Sequence, residues 1–203
     1  GGLISVPILI SVGIPAHVAV ASATNQMTAA SFSGFLAYAR RGRIDYKLGS
    51  LMLFGGIIGT MFGIEIFTYF TELGRIDLLV SLCFLCVLGI LSIVSTRNLI
   101  KGLYSKFYGK KMVTKTRANC LDKLALPFPV SLPSARSSVS VILPILVGLV
   151  GGTLVVIMGI GGSLIMIPCL IYLLKISPAY TAGTTHFQMI FTTIAATIMH
   201  AFA

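Results

Sequence analysis

The chain contains few charged residues and very few acidic ones. Asp, Glu, Lys and Arg make up 10% of its 203 residues, against about a quarter in soluble proteins. With 56% hydrophobic residues and a mean hydropathy of +0.99, an ordinary soluble domain is excluded. The sequence predicts an all-α, polytopic transmembrane bundle, because helices satisfy their own backbone hydrogen bonds in lipid.

Several motifs of membrane enzymes are missing. The sequence has no H-E-x-x-H motif, and Asp45, Asp77 and Asp122 lie in or beside predicted loops, so no pair of aspartates stands at membrane depth. Glu65 is the only acid well inside a predicted crossing. A membrane-embedded enzyme would instead depend on a Ser–His pair, drawn from the following residues: Ser22, Ser31, Ser163, His186 and His200.

Metal ligands are scarce as well. Of the cysteines Cys83, Cys86, Cys120 and Cys169, only Cys120 falls in a predicted loop, which argues against a disulfide framework. Cys83 and Cys86 form a C-x-x-C without a second pair, and packing is the simpler role. Of the three histidines, His17, His186 and His200, the last two are fourteen residues apart, roughly 21 Å along one helix, so they cannot chelate one metal. We expect neither a metal nor another cofactor.

Positive charge is abundant, and its distribution is a topology signal. The net charge is +10, and nine of the fifteen Lys and Arg lie between Arg97 and Arg136. Four more basic residues surround one short turn: Arg40, Arg41, Arg43 and Lys47. Both segments are predicted to face the cytoplasm. We therefore expect a lipid bilayer, and not a nucleic acid, as the macromolecular environment.

Three apolar segments, His17–Tyr38, Leu48–Phe70 and Leu78–Ser95, are long enough to cross a bilayer core, which takes about 20 helical residues. The positive-inside rule directs them inward, outward and inward. In the second segment Gly55, Gly59 and Gly63 have the spacing that allows close helix packing.

A second set of apolar segments follows a basic loop. Val139–Met158 is interrupted by Gly159–Ser163, Leu164–Leu174 covers about half a bilayer, and Pro178–Ala203 runs outward. We divide the chain into a first repeat (1–97), a cytoplasmic linker (98–138) and a second repeat (139–203). Opposite directions predict inverted repeats with Gly-broken re-entrant or half helices. Each repeat is expected to be cut short at its chain end.

The repeat is visible in the residues themselves. Residues 1–7, Gly-Gly-Leu-Ile-Ser-Val-Pro, return as residues 162–168, Gly-Ser-Leu-Ile-Met-Ile-Pro. Glycine interruptions at corresponding positions in two halves indicate a transporter binding site, because free backbone amides and helix N-termini attract anions. The candidate residues for this contact are Gly1, Gly2, Gly161, Gly162 and Ser163.

Polar side chains follow both copies of the motif. They could complete the coordination of an oxyanion: Ser22, Thr24, Asn25 and Gln26 in the first repeat, and Thr184, Thr185, His186 and Gln188 in the second. One alignment pairs Asn25 with Gln188, and another pairs Gln26 with Gln188. His186 is also a candidate proton-sensitive residue, since ionisable groups inside membranes tend to be functional.

Together these motifs resemble the sulfite exporter (TauE/SafE) family of bacterial inner-membrane permeases. The resemblance rests on the paired glycine motifs, each with its trailing proline (Pro7 and Pro168), on the A-x-x-S/T helix starts and on the segment Tyr38–Asp45. It implies a multi-pass permease for small anions, with sulfite and sulfonates as the substrate class. The chain departs from the family pattern at Ser163, where the third glycine of the motif is replaced.

Export of an anion agrees with the scarcity of intramembrane acids. An inside-negative potential is worth about 2.3 kcal/mol per charge per 100 mV and drives anions outward, so no coupling ion is required. An importer would need coupling through Glu65 or His186. The alternatives are a permease or channel for another small metabolite or ion, and the Ser-dependent membrane enzyme.

Overall fold

The computed structural model describes residues 2–107, 129–130, 139–172, 174 and 176–202. In these ranges the chain is helical apart from one short strand pair, which confirms the all-α class. The elements are α1 (Gly2–Ser11), α2 (Ala16–Ala39), α3 (Tyr46–Glu72), α4 (Ile76–Phe107), β1 (Pro129–Val130), β2 (Val139–Ser140), α5 (Ile142–Met158), α6 (Ser163–Tyr172) and α7 (Pro178–Phe202).

The α2–α3 turn is fixed by a helix cap. The side chain of Asp45 accepts a hydrogen bond from the Leu48 backbone N–H at 3.2 Å, which satisfies one of the free donors at the start of α3. The Asp45 side chain is buried although it lies in a loop. The basic turn that was expected at the cytoplasmic side is therefore an ordered part of the bundle.

Helices α3 and α5 run parallel in direct backbone contact. A Cβ atom at Gly55 or Gly59 would collide with the carbonyl oxygen of Ile145 or Leu149. In addition, the Thr153 hydroxyl donates to the Gly59 carbonyl across the interface at 3.0 Å. The close packing predicted from the glycine spacing of α3 is confirmed.

Helix α6 reverses direction and returns along α5. Met166 packs on Gly151 of α5, and Leu170 joins a cluster with Val147 and with Leu48 and Met52 at the beginning of α3. The ten residues of α6 therefore return toward the end of the bundle at which α5 begins. The prediction that α6 is a re-entrant or half helix within the membrane stays a prediction.

Helices α2 and α7 pack antiparallel. Phe35 near the end of α2 contacts Phe187 near the beginning of α7, with ring centroids 5.8 Å apart. At the opposite end of the bundle, His17 and His200 line one cavity. Parallel α3 and α5 with antiparallel α2 and α7 are the directions that inverted repeats require, and the repeat relationship itself stays a prediction.

Two described helices are long and apolar enough to cross a membrane: α3 and the part of α4 from Ile76 to Arg97, with α5 as a shorter apolar helix. These match the second and third crossings expected from sequence. The first, His17–Tyr38, forms a helix of 24 residues but does not reach the same apolar character, because it is rich in Ser and Thr. Leu82 and Leu85 of α4 are 63% and 72% exposed, as expected of lipid-facing side chains.

The boundaries of the predicted linker differ from those of the structure. Helix α4 continues to Phe107, ten residues into the segment expected to begin at Asn98, because Lys and Arg favour helix and do not terminate it. Val139 pairs with Val130 in the short strand pair, so α5 starts at Ile142. The remainder of the 98–138 linker, Cys120 included, lies outside the described residues.

Candidate functional site

The break between α5 and α6 requires glycine at two positions. Gly159 (φ +63°) and Gly161 (φ +64°) both adopt the left-handed conformation, which costs other residues about 1–2 kcal/mol. The Gly159 N–H closes α5 by donating to the Val155 carbonyl at 3.0 Å. The chain then turns within three residues and begins α6 at Ser163.

This glycine turn, residues 159–162, is buried among three helices. Gly159 lies against the Val20 carbonyl of α2, while Gly161 contacts Met27 of α2 and Met189 of α7. Gly162 packs on the backbone of α5 at Gly151. The turn therefore occupies the middle of the α2–α7 pair and not the end of the bundle.

The start of α6 presents free backbone donors. The N–H groups of Ile165 and Met166 donate to the Gly162 carbonyl at 3.1 and 2.9 Å, and the Ser163 N–H donates to the Gly161 carbonyl. Among the described residues, the N–H groups of Gly161, Gly162 and Leu164 have no backbone acceptor. Free donors at the positive end of a helix dipole favour an anionic ligand.

Gln188 is a buried polar side chain whose amide lacks hydrogen-bond partners among the described residues. It is completely buried, and in the described part of the chain neither Nε2 nor Oε1 has a hydrogen-bond partner. Its amide packs on Gly56 of α3 and neighbours Thr192. A buried amide without partners costs about 1–3 kcal/mol, so a ligand is a natural partner for it.

Gln188 and the glycine turn lie at the same level of the bundle. Met189, the next residue along α7, contacts Gly161. On α5, Gly152 packs on the Gly56 carbonyl while its neighbour Gly151 packs against Gly162. The structure thus brings Gly161, Gly162, Ser163 and Gln188 of the predicted site to one level.

The other predicted residues of α7 lie nearer the basic turn. The Thr184 hydroxyl accepts a hydrogen bond from the Asp45 N–H at 3.1 Å, and the Thr185 hydroxyl donates to the Thr181 carbonyl at 2.7 Å. The His186 ring stacks on Tyr38 with centroids 6.0 Å apart. Two of these three side chains are therefore engaged in holding the α2–α3 turn against α7.

The predicted residues of α2 are spread around that helix. Thr24 is buried, and its hydroxyl donates to the Val20 carbonyl at 2.8 Å. Asn25 and Gln26 are exposed, and Ser22 lines the cavity that also contains His200. The α2 side chains that contact the glycine turn are Ala23 and Met27, which sequence reasoning missed because apolar side chains carry no ligand signal.

The first copy of the glycine motif is only partly described. Gly1 lies outside the described residues, and Gly2 is the first residue of α1. Helix α1 packs on α2 and contributes the buried Val6 to the same core cluster as Val20 and Ile160. A contact between the two motif copies stays a prediction.

The histidines form neither a metal site nor a catalytic pair in the described part of the chain. No group of three His, Cys, Asp or Glu residues gathers there. The His200 Nε2 lies 3.1 Å from the Val156 carbonyl oxygen. None of the described hydrogen bonds joins a serine hydroxyl to a histidine ring, so no specific contact favours the Ser-dependent enzyme.

Comparison with known proteins gives one result that covers the whole chain. The family model of the sulfite exporter TauE/SafE matches residues 1–203. The chain belongs to the TauE/SafE family. No curated protein and no solved structure matches it.

TauE/SafE membership gives the geometry above a functional setting. The family is one of membrane transporters, in agreement with the apolar helices α3 and α4. A transporter family is consistent with a protein that is not an enzyme. The buried glycine turn of this TauE/SafE protein therefore belongs to a membrane permease.

Proposed function

We propose that this protein exports small sulfur oxyanions or organosulfonates through the inner membrane by alternating access. The anion is held where two glycine-led half helices, α1 and α6, begin. No coupling ion and no cofactor takes part, because the membrane potential itself favours outward movement of an anion.

The free donors at the start of α6 are the observation that carries this proposal. The N–H groups of Gly161, Gly162 and Leu164 have no backbone acceptor among the described residues, although the turn is buried. Irregular backbone at membrane depth is tolerated where it is enclosed by protein or lines a wet cavity. An oxyanion would satisfy these donors, and the Ser163 hydroxyl would add another.

The second repeat supplies a further contact through Gln188. Its Nε2 is an unused donor at the same level as the turn, and an amide donor suits a sulfite or sulfonate oxygen. Met27 and Met189 form the apolar side of the site. Because these two side chains are apolar, the backbone donors and Gln188 are the groups that stabilise the negative charge of the anion.

The first repeat contributes by symmetry. Gly2 begins α1 as Ser163 begins α6, and α2 runs antiparallel to α7. In an inverted pair the two half helices approach from opposite sides of the membrane. Asn25 or Gln26 would then correspond to Gln188 and face the anion in another state of the transport cycle.

Closure at the basic end supports alternating access. Gly183 of α7 packs directly on the Arg43 carbonyl and on Tyr38, and Thr184 is bonded to the Asp45 N–H. At the opposite end a cavity of about 270 Å³ lies between α2, α3 and α7. A bundle closed at its cytoplasmic end and hollowed at its outer end is the asymmetry that one state of such a cycle requires.

Transport by the reconstituted full-length protein tests the proposal. Proteoliposomes are loaded with labelled sulfite, sulfate, thiosulfate or ethanesulfonate, and efflux is followed with and without an inside-negative potential. We expect faster efflux with the potential and a fall of at least tenfold for Gly162→Ala, whose Cβ would lie 3.0 Å from the Gly151 carbonyl oxygen.

Gly89→Ala is the matched control, since nothing lies within 4 Å of a Cβ at that helical position. It should transport as the wild type does. Absence of efflux for all four anions, or equal rates for Gly162→Ala and Gly89→Ala in correctly inserted protein, would refute the proposal.

A further inference from the structure

We propose that the outer end of the bundle carries a second oxyanion site, separate from the glycine turn. The cavity of about 270 Å³ is lined by His17 and Ser22 of α2, Phe67, Thr68 and Thr71 of α3, and His200 of α7. Its ligand class, small sulfur oxyanions and sulfonates, rests on the proposed function. The cavity would receive the anion after release from the turn.

The size and position of the cavity suit this role. Its volume is many times the roughly 15 Å³ that one water molecule requires, so a hydrated small anion fits. The three helices contribute their ends opposite the cluster Arg40–Lys47, which the positive-inside rule places in the cytoplasm. The cavity therefore lies on the extracytoplasmic side, where an exported anion leaves.

The lining offers hydrogen-bond donors and no acid. None of the residues that line the cavity is Asp or Glu. The hydroxyl of Thr71 already donates to the Phe67 carbonyl at 2.8 Å. In the described part of the chain, the hydroxyls of Ser22 and Thr68 form no such bond and are available to donate.

Of the two imidazoles, His17 is the one that can add a donor, because the ring proton of His200 is already donated to a backbone carbonyl. His200 Nε2 lies 3.1 Å from the Val156 carbonyl oxygen, and because a carbonyl only accepts, this nitrogen carries the proton. The His17 ring is exposed at the cavity. His17 also lies in the first turn of α2, where the positive end of the helix dipole adds to the attraction for an anion.

A cation fits the same cavity poorly. A zinc site takes at least three protein ligands in tetrahedral geometry, whereas this lining has two histidines and no Cys, Asp or Glu. Hydroxyls with free protons are donors and favour an anion. Binding of a metal ion is therefore an outcome that would count against the proposal.

Chemical protection of His17 tests the site without relying on transport. Right-side-out membrane vesicles containing the full chain are treated with diethyl pyrocarbonate, which acylates accessible imidazole nitrogens, and modification of His17 is followed by mass spectrometry. The probes are external ethanesulfonate and sulfate at constant ionic strength with chloride as the balancing anion. N-acetylhistidine in the same solution corrects for consumption of the reagent.

We expect saturating ethanesulfonate to slow modification of His17 at least fivefold and chloride to have no effect. In Ser22→Ala/Thr68→Val, the half-protecting concentration should rise about tenfold. Ser11→Ala is the control, because the Ser11 hydroxyl donates to Ile8 in α1 and does not line the cavity. It should give the wild-type half-protecting concentration.

Two results would overturn the second site: unchanged modification at all oxyanion concentrations, or protection by Zn²⁺ alone. Failure here is distinguishable from failure of the transport proposal. Sulfite efflux without protection of His17 removes only the outer site, whereas protection without efflux of any tested anion removes only the proposed transport function.

Discussion

The two helix pairs at the centre of the bundle are joined by different kinds of contact. Between α3 and α5, glycines place one backbone directly on the other, as at Gly59 with Leu149 and at Gly152 with Gly56. Between α2 and α7 the contacts are made by side chains, such as Phe35 with Phe187 and Tyr38 with His186. The glycine turn lies in the second pair.

This difference separates a fixed interface from an adaptable one. Backbone contacts at glycines have a single register, because a shift would bring a neighbouring side chain into the seam. Aromatic and thioether side chains change rotamer and tolerate sliding. We infer that α3 and α5 move as one body, and that α2 and α7 change their contacts around the turn.

The largest effect is expected from filling the fixed interface. Gly152→Leu would drive a side chain into the Gly56 carbonyl, and the contacted atoms are backbone atoms of α3 that cannot move aside. We expect a loss of about 3 kcal/mol or more in unfolding free energy, measured by thermal or denaturant unfolding in detergent. Gly89→Leu, at an open position of α4, is the control. Similar stability of the two variants would show that the α3–α5 seam is not rigid.

A smaller effect is expected at the turn. Gly161→Ala would combine a strained positive φ with crowding against the Met189 methyl group. The strain alone costs about 1–2 kcal/mol, and displacement of the free N–H donors should lower anion efflux at least tenfold. Gly13→Ala, with φ +93° and nothing near its Cβ, carries the strain without the crowding. Equal efflux by both variants would contradict a role for the turn.

Gln188 separates stability from transport. Replacement by the similarly sized Leu removes a buried amide without partners, so stability should stay constant or rise by about 1 kcal/mol. Efflux should fall at least tenfold, because a donor to the anion is lost. Thr193→Val, which removes a hydroxyl bonded to Met189 of the same helix at 2.7 Å, is the control. A Gln188→Leu protein that is clearly less stable would indicate a structural role instead.

The smallest effect is expected at the hydrogen bond between the Thr153 side chain of α5 and the backbone of α3. Thr153→Val removes the bond to the Gly59 carbonyl, and such bonds in membranes average about 0.6 kcal/mol. Thr60→Val removes a bond within α3, to Gly56 at 2.7 Å, and should cost less. A loss at Thr153 of several kcal/mol would mean that the seam depends on this bond more than on glycine contact.

The sequence allowed more to be predicted about the fixed pair than about the adaptable one. The period of Gly55, Gly59 and Gly63 directly encodes a helix face without side chains, and the structure has this face in contact with α5. The directions of the helices were predicted from the positions of Lys and Arg, because Arg40–Lys47 and the later basic segment are both expected on the cytoplasmic side. These signals are local and periodic, so they are visible without coordinates.

The candidate site was harder to predict because it depends on rotation about helix axes. The four polar residues predicted within residues 22–26 of α2 do not all face one point: Thr24 is buried, whereas Asn25 and Gln26 are exposed. The contacts of Gly161 with Met27 and Met189 depend on how three helices pack together, which no local sequence pattern indicates. The extension of α4 to Phe107 is not evident from the sequence, because Lys and Arg mark a cytoplasmic segment and also favour helix.

The two thioethers beside the glycine turn have a consequence for the range of molecules that the protein handles. Met27 and Met189 are unbranched and flexible, so the wall they form yields to the shape of whatever lies against it. A wall of this kind discriminates poorly between a bare oxyanion and one bearing a short carbon chain. The range of anions that the protein accepts would then follow from the flexibility of these two methionine side chains.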